Sequence, residues 1–167
     1  MDISSEKSDE LRLKYRWPYR TGGYAFGFLL ICLLGVEISF GAWGGLFLLA
    51  VGWPQLAYVL CKNNPTSVGL DRGCFLMDAV ITAIYLAVVG FNPWASLSLI
   101  FIHLMSGATA GGASLVGKQL VILVLSSGAL WLGAGVEFRE EASPLVWGLS
   151  AISVIGYGCL ISVLLRN

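Results

Sequence analysis

Six apolar runs, each long enough to cross a bilayer as a helix, occupy nearly all of the 167-residue chain. They lie at about Thr21 to Phe40, Ala42 to Cys61, Gly69 to Gly90, Pro93 to Ala110, Leu115 to Val136 and Pro144 to Leu165. A transmembrane helix needs about 20 apolar residues to span ~30 Å of hydrocarbon. So little chain is left between the runs that a water-soluble catalytic domain has nowhere to sit among them. Only 12% of the residues are charged and 57% are hydrophobic, whereas a soluble domain carries about 25% charged residues. No strand alternation, low-complexity tract or internal repeat competes with this pattern. The expectation is an all-α integral membrane fold: a basic segment over residues 1–20, then a bundle of six transmembrane helices over residues 21–167. The first run is too long for a signal-peptide core and lacks a small-residue cleavage site, so it reads as an uncleaved anchor.

The basic residues set the orientation, because Lys and Arg accumulate on the cytoplasmic side of short loops. Lys7, Arg12, Lys14, Arg16, Arg20, Lys62, Arg72, Lys118 and Arg166 fall on one side of the six runs, and only Arg139 falls on the other. Both termini are therefore expected in the cytoplasm, with the basic amino terminus resting on anionic lipid headgroups. The net charge of zero argues against nucleic acid as a partner.

Enzymatic chemistry has little to stand on. Cys32, Cys61, Cys74 and Cys159 form no CxxC or zinc spacing and read as small packing residues. A single histidine excludes two-histidine haem ligation within one subunit. The chain contains no Gly-rich phosphate loop, no Ser-His-Asp set and no acidic metal cluster. The reading is a non-enzymatic chain that needs no cofactor or metal.

Polar residues at membrane depth carry the information, since each is costly unless paired or facing a cavity. Asp78 lies eight residues past Leu70, ~12 Å into its span, and Pro54 and Gln55 lie ~10 Å from the end of theirs. A short loop joins these spans, so Gln55 and Asp78 are expected to meet at one level. Pro54 lacks an N–H and its ring collides with the Ala50 carbonyl, so the helix should bend there and open a polar wall. Trp53, Pro54, Gln55, Asp78 and His103 are the candidate pocket residues. Asp78 alternatively serves as structural glue between helices. His103, ~15 Å into the fourth run, reads as a pH-responsive switch, a ligand shared between subunits, or a neutral hydrogen-bonded side chain. Gly23/Gly27, Gly41/Gly45 and Gly107/Gly111, followed by Gly112, have the small-residue spacing that lets helices approach closely.

The stretches "GWPQLAYVLCKNNP", "LMDAVITA" and "LMSGATAGG" resemble, in order, the motifs of the membrane-associated sensor domain of the second type, MASE two. Trp53, Pro54, Leu56, Ala57 and Tyr58 match its Trp-Pro-His-Leu-Ala-Tyr motif, and Pro65 its Asp-Pro. Asp71 and Asp78 reproduce its seven-residue acidic spacing, and Ala110, Gly111 and Gly112 its Ala-Gly-Gly. "RWPYRTGG" resembles the family's basic opening. Gln55 stands where the family has histidine, which keeps hydrogen bonding but removes titration. The resemblance implies an input module of the bacterial inner membrane that pairs as a homodimer. Such a module controls a cytoplasmic nucleotide cyclase, diguanylate or class III adenylate, in cis or in trans. The stimulus would be a small molecule or a state of the membrane. No cyclase segment precedes Asn167, so an excised input domain or a chain without its output is expected. A small transporter or channel and a passive anchor in the lipid bilayer are the competing readings.

Overall fold

Side-chain caps and prolines mark where the helices begin. Ser39 accepts from the Ala42 N–H and Ser67 from the Leu70 N–H, both at 3.3 Å. Asn92 accepts from the Ala95 N–H at 3.3 Å, directly ahead of Pro93, and Ser143 accepts from the Val146 N–H across Pro144. Such side chains satisfy the N–H groups that a helix start leaves free, and proline is tolerated at the first helical position because its missing donor is not needed there.

The computed structural model describes the backbone of residues 3–64 and 67–164, with side chains over 17–18, 20–64 and 67–159. These residues form an all-helical fold of five helices: α1 (Ile3–Leu33), α2 (Phe40–Asn63), α3 (Val68–Val88), α4 (Pro93–Ala134) and α5 (Pro144–Leu164). Helix α1 runs unbroken through residue 20, with Pro18 inside it. The junction between basic segment and bundle is thus a change of composition and not of secondary structure.

Five helices stand where six runs were expected because no loop separates the fourth run from the fifth. Helix α4 is 42 residues long, with a mean hydropathy of 1.7 over its most apolar 18 residues, and measures ~63 Å if straight, about twice the hydrocarbon thickness. It is broken at Gly112, whose φ of 62° and ψ of −160° are open only to glycine. The two arms, 93–111 and 113–134, fold against each other there. In a straight helix residues 107 and 119 would lie ~18 Å apart, yet a Cβ on Gly107 would collide with the Gln119 side chain. Each arm is ~29–33 Å long, enough to cross a bilayer.

Helices α2 and α4 are long and apolar enough to cross a membrane by length and composition, and the shorter stretches Arg20–Leu33 and Pro144–Cys159 are also apolar. Much of this surface faces outward, with Leu125, Leu132, Ile152 and Ile155 exposed, as expected where lipid is the solvent. Helix α3 differs in kind. It carries Asp71, Arg72 and Asp78, and it buries Cys74, Phe75, Asp78, Ala79, Ile81, Thr82, Ala83, Tyr85 and Leu86. Its surroundings are protein, and the core of Leu30, Ile31, Ile81, Tyr85 and Val89 forms around it.

The glycine pairs divide by what faces them. A Cβ on Gly27 would lie 2.8 Å from the Tyr85 ring and 3.0 Å from Leu99, and one on Gly23 would lie 3.1 Å from Ile102. Gly107 and Gly111 abut the second arm of α4, whereas Gly41 and Gly45 have open space around them. The expected close approach thus holds within the chain for two pairs and not for the third. Gly27→Ala and Gly107→Ala should each destabilise the detergent-solubilised protein by about 1–3 kcal/mol through overpacking. Gly41→Ala should stay within about 0.5 kcal/mol of the parent. Thermal unfolding of the three variants checks both expectations.

Candidate functional site

Asp78 is 5% exposed and lies ten residues into α3, ~15 Å along it. Its carboxylate accepts hydrogen bonds from side chains of two other helices. Tyr24 Oη donates to Oδ1 at 2.7 Å, Trp53 Nε1 donates to the same oxygen at 2.6 Å, and Arg20 Nε donates to Oδ2 at 2.9 Å. The guanidinium of Arg20 also lies over the Phe75 ring, 4.5 Å from its centroid. Thr82 Oγ1 donates to the Asp78 backbone carbonyl at 2.8 Å. One side chain of α3 is therefore held by both α1 and α2.

Helical spacing brings these groups together. Arg20, Tyr24, Gly27 and Ile31 lie along one face of α1, and Phe75, Asp78, Thr82 and Tyr85 along one face of α3. Gly27 lets the two faces close. On α2 the stripe that meets α3 is Trp53, Ala57 and Cys61, four residues apart, and Ala57 and Cys61 pack with Cys74 in a cluster of their own.

The sequence reading expected Pro54 to bend the helix and free the Ala50 carbonyl. The structure places a π-helical turn over Leu48–Gly52 directly ahead of Pro54, in which the Trp53 N–H reaches back five residues to the Leu48 carbonyl. Such turns hold one surplus residue and often occur at functional sites. Pro54 is buried, next to the indole that it helps to aim. Gln55 faces outward and is exposed. It lies ~200° around the helix from Trp53, so it does not join Asp78, contrary to the expected meeting at one level.

His103, on the first arm of α4, is 7% exposed, and its Nε2 has no hydrogen-bond partner. It lies within electrostatic reach of both Asp78 and Arg20. One turn further on, Gly107 receives Gln119, whose Nε2 donates to the Phe75 carbonyl at 3.2 Å. Gly111 abuts Leu115, and Gly112 makes the reversal. Both arms of α4 thus reach α3 beside the ion pair.

Two of the principal partners, Arg20 and Tyr24, were not among the sequence candidates. Arg20 is the last of five basic residues ahead of the first run and reads there as a topology signal. Its spacing of four from Tyr24 and seven from Gly27 was the available clue. Chemically, the arrangement is a charge-assisted acceptor site that clamps three helices. Among the described residues no three His, Cys, Asp or Glu side chains converge on a metal position.

An all-helical membrane domain organised around a buried acid is the class that this fold and site define. The chain belongs to the MASE2 domain family, whose profile matches residues 16–102. That match contains Arg20, Tyr24, Trp53, Pro54 and Asp78, and it ends one residue before His103. The chain is also similar to the probable diguanylate cyclase DgcC of Escherichia coli K12, 27% identical over 143 residues. The probable diguanylate cyclase DgcC of Escherichia coli O6:H1 gives the same figures. This alignment takes in 84% of the present chain but 38% of each relative, so the chain spans well under half of their length. No solved structure matches it.

Removing one partner of a buried ion pair leaves an uncompensated charge and costs about 3–5 kcal/mol. Arg20→Met and Asp78→Leu should each lower stability by that order. The double variant Arg20→Met/Asp78→Leu should recover a large part of the loss, because it leaves neither charge unpaired. Asp78→Asn falls with the single variants, since its amide cannot neutralise Arg20. Denaturation of the four variants in one detergent gives the coupling directly.

Proposed function

We propose that the chain is a membrane-embedded input domain that senses a small molecule or a membrane state and regulates a cytoplasmic nucleotide cyclase, working as a homodimer. Membership in the MASE2 family and the similarity to a probable diguanylate cyclase support this reading and favour diguanylate over adenylate cyclase as the output. In it, six spans cross the bacterial inner membrane with both termini in the cytoplasm, the two arms of α4 counting as separate spans.

The observation that carries the proposal is the convergence of three helices on Asp78. A stimulus that competes for one of its donors changes how α1, α2 and α3 sit together, and a packed bundle turns such a change into a discrete rearrangement. His103 and the first arm of α4 flank the site. That arm is joined to α5 by Ser98 Oγ donating to the Ser150 carbonyl at 3.4 Å, by a Ser106–Tyr157 hydroxyl pair, and by Trp94 and Trp147, whose rings lie 5.3 Å apart. Helix α5 then carries the change toward the output. Trp53, Pro54, Asp78 and His103 belong to this sensory site together with Arg20 and Tyr24. Exposed Gln55 is available to a partner subunit or to lipid.

In a fusion to a diguanylate cyclase domain, Trp53→Phe keeps the aromatic ring but removes one donor to Asp78. Cyclic di-GMP formation by this variant should shift at least about fivefold from the parent at equal membrane abundance, a coupling near 1 kcal/mol. A passive anchor predicts no shift, and uptake of a solute by proteoliposomes would indicate transport instead. Orientation is tested separately. Reporters at either terminus should be accessible only from the cytoplasm, and one beside Arg139 only from outside, as the nine-to-one partition of basic residues requires. Termini on opposite faces would reject the six-span arrangement.

A further inference from the structure

Cys61 and Cys74 take no part in the hydrogen bonds to Asp78, yet the fold holds their sulfur atoms 4.0 Å apart. Cys61 ends the Trp53–Ala57–Cys61 stripe of α2, and Cys74 lies one turn before Asp78 on α3. Both are buried, at 3% and 4% exposure, and both are free thiols.

The separation discriminates between the reactions open to two thiols. A disulfide requires ~2.05 Å between sulfurs, about half of the 4.0 Å found here, so one side chain or helix would have to move. Two metal–sulfur bonds ask for a much smaller adjustment. At the ~2.3 Å of a zinc–thiolate bond, sulfurs 4.0 Å apart subtend about 120° at an ion between them.

The ligand set then narrows the metal. Structural zinc takes four side-chain ligands and iron–sulfur clusters four thiolates, but no third His, Cys, Asp or Glu completes such a group among the described residues. The Asp71 carboxylate, 3.9 Å from Cys61 Sγ, is a hard oxygen donor that suits magnesium, calcium or manganese. Thiolates select soft ions, copper(I) among them. Copper(I) is satisfied by two thiolates in a near-linear arrangement, which asks the two sulfurs to part slightly from their 4.0 Å contact.

We propose that Cys61 and Cys74 form a two-thiolate site for copper(I) at the contact between α2 and α3. Binding forms two copper–sulfur bonds and releases both thiol protons to water, with no change of oxidation state. The complex carries one negative charge and lies within electrostatic reach of Arg20, which is shared with Asp78. The ion fastens α2 to α3 one turn from Asp78 and two turns from Trp53. It does so whatever the Asp78 site itself senses.

The test is a titration of the full chain in lipid nanodiscs, anaerobic and with a non-thiol reductant. Copper(I) is offered in competition with the chromophoric chelator bicinchoninate. The parent and the double variant Cys32→Ser/Cys159→Ser should each withdraw one equivalent of copper(I) from the chelator. Cys61→Ser and Cys74→Ser should withdraw none, and Cys61→Ala and Cys74→Ala repeat the measurement should a serine variant misfold. Thermal midpoints should rise with copper(I) only in the chains that bind it. Failure of the parent to compete, or equal uptake by the Cys61 or Cys74 variants, would overturn the proposal. So would formation of a Cys61–Cys74 disulfide on mild oxidation in a chain that takes up no copper(I). Cyclase output is not read here, so these outcomes are independent of the proposed sensory role.

Discussion

A carboxylate buried inside a helical bundle must receive its hydrogen bonds from neighbouring side chains, because its apolar surroundings offer none. Asp78 draws them from Arg20, Tyr24 and Trp53, and much of the architecture follows from that requirement. Arg20 and Tyr24 reach it because Gly27 brings α1 within contact of Tyr85. Trp53 reaches it because the π turn ahead of Pro54 rotates the indole toward α3. Helix α3 is the most enclosed of the five because three neighbours converge on its polar face. An acid that is expensive to bury alone becomes, once paired, the point where three separate helices agree on a register.

The first arm of α4 faces two ways. Toward the second arm it presents Gly107, with His103 near Asp78, and toward α5 it presents Ser98, Ser106 and Trp94. Gln119 closes the inner side by reaching from the second arm to the Phe75 carbonyl, one turn from Asp78. At the opposite end of the bundle, fully buried Asn92 donates to the carbonyls of Arg139 and Glu141. The loop before α5 is thereby tied to the turn between α3 and α4. Helix α5 thus adheres to the same arm along its length, through polar contacts at several levels.

Apolar run length was enough to read the helices from the sequence, because a bilayer demands long uninterrupted apolar segments whatever packs beside them. Asp78 was legible for the complementary reason: an acid at that depth needs an explanation. Trp53 and Pro54 stood out through the proline and the family motif. The partners of Asp78 were harder to see, since Arg20 sits at the edge of a basic segment where positive charge already has a topological meaning. Gln55 shares the expected depth of Asp78 but not its facing, because two residues of helical rotation separate it from Trp53 and leave it exposed. The missing loop between residues 110 and 115 was hidden as well. A reversal made by one glycine leaves no polar interruption in an apolar run.

The π turn over Leu48–Gly52 gives α2 a mechanical property that a plain kink would lack. It stores one surplus residue in an otherwise α-helical rod. Expelling that residue back into α geometry would spin the 53–63 segment by about 100° against the 40–47 segment. The indole of Trp53 and the sulfur of Cys61 ride on that segment, along the same stripe. A step of that size would strip both contacts from α3 together, and restoring the turn would re-engage both.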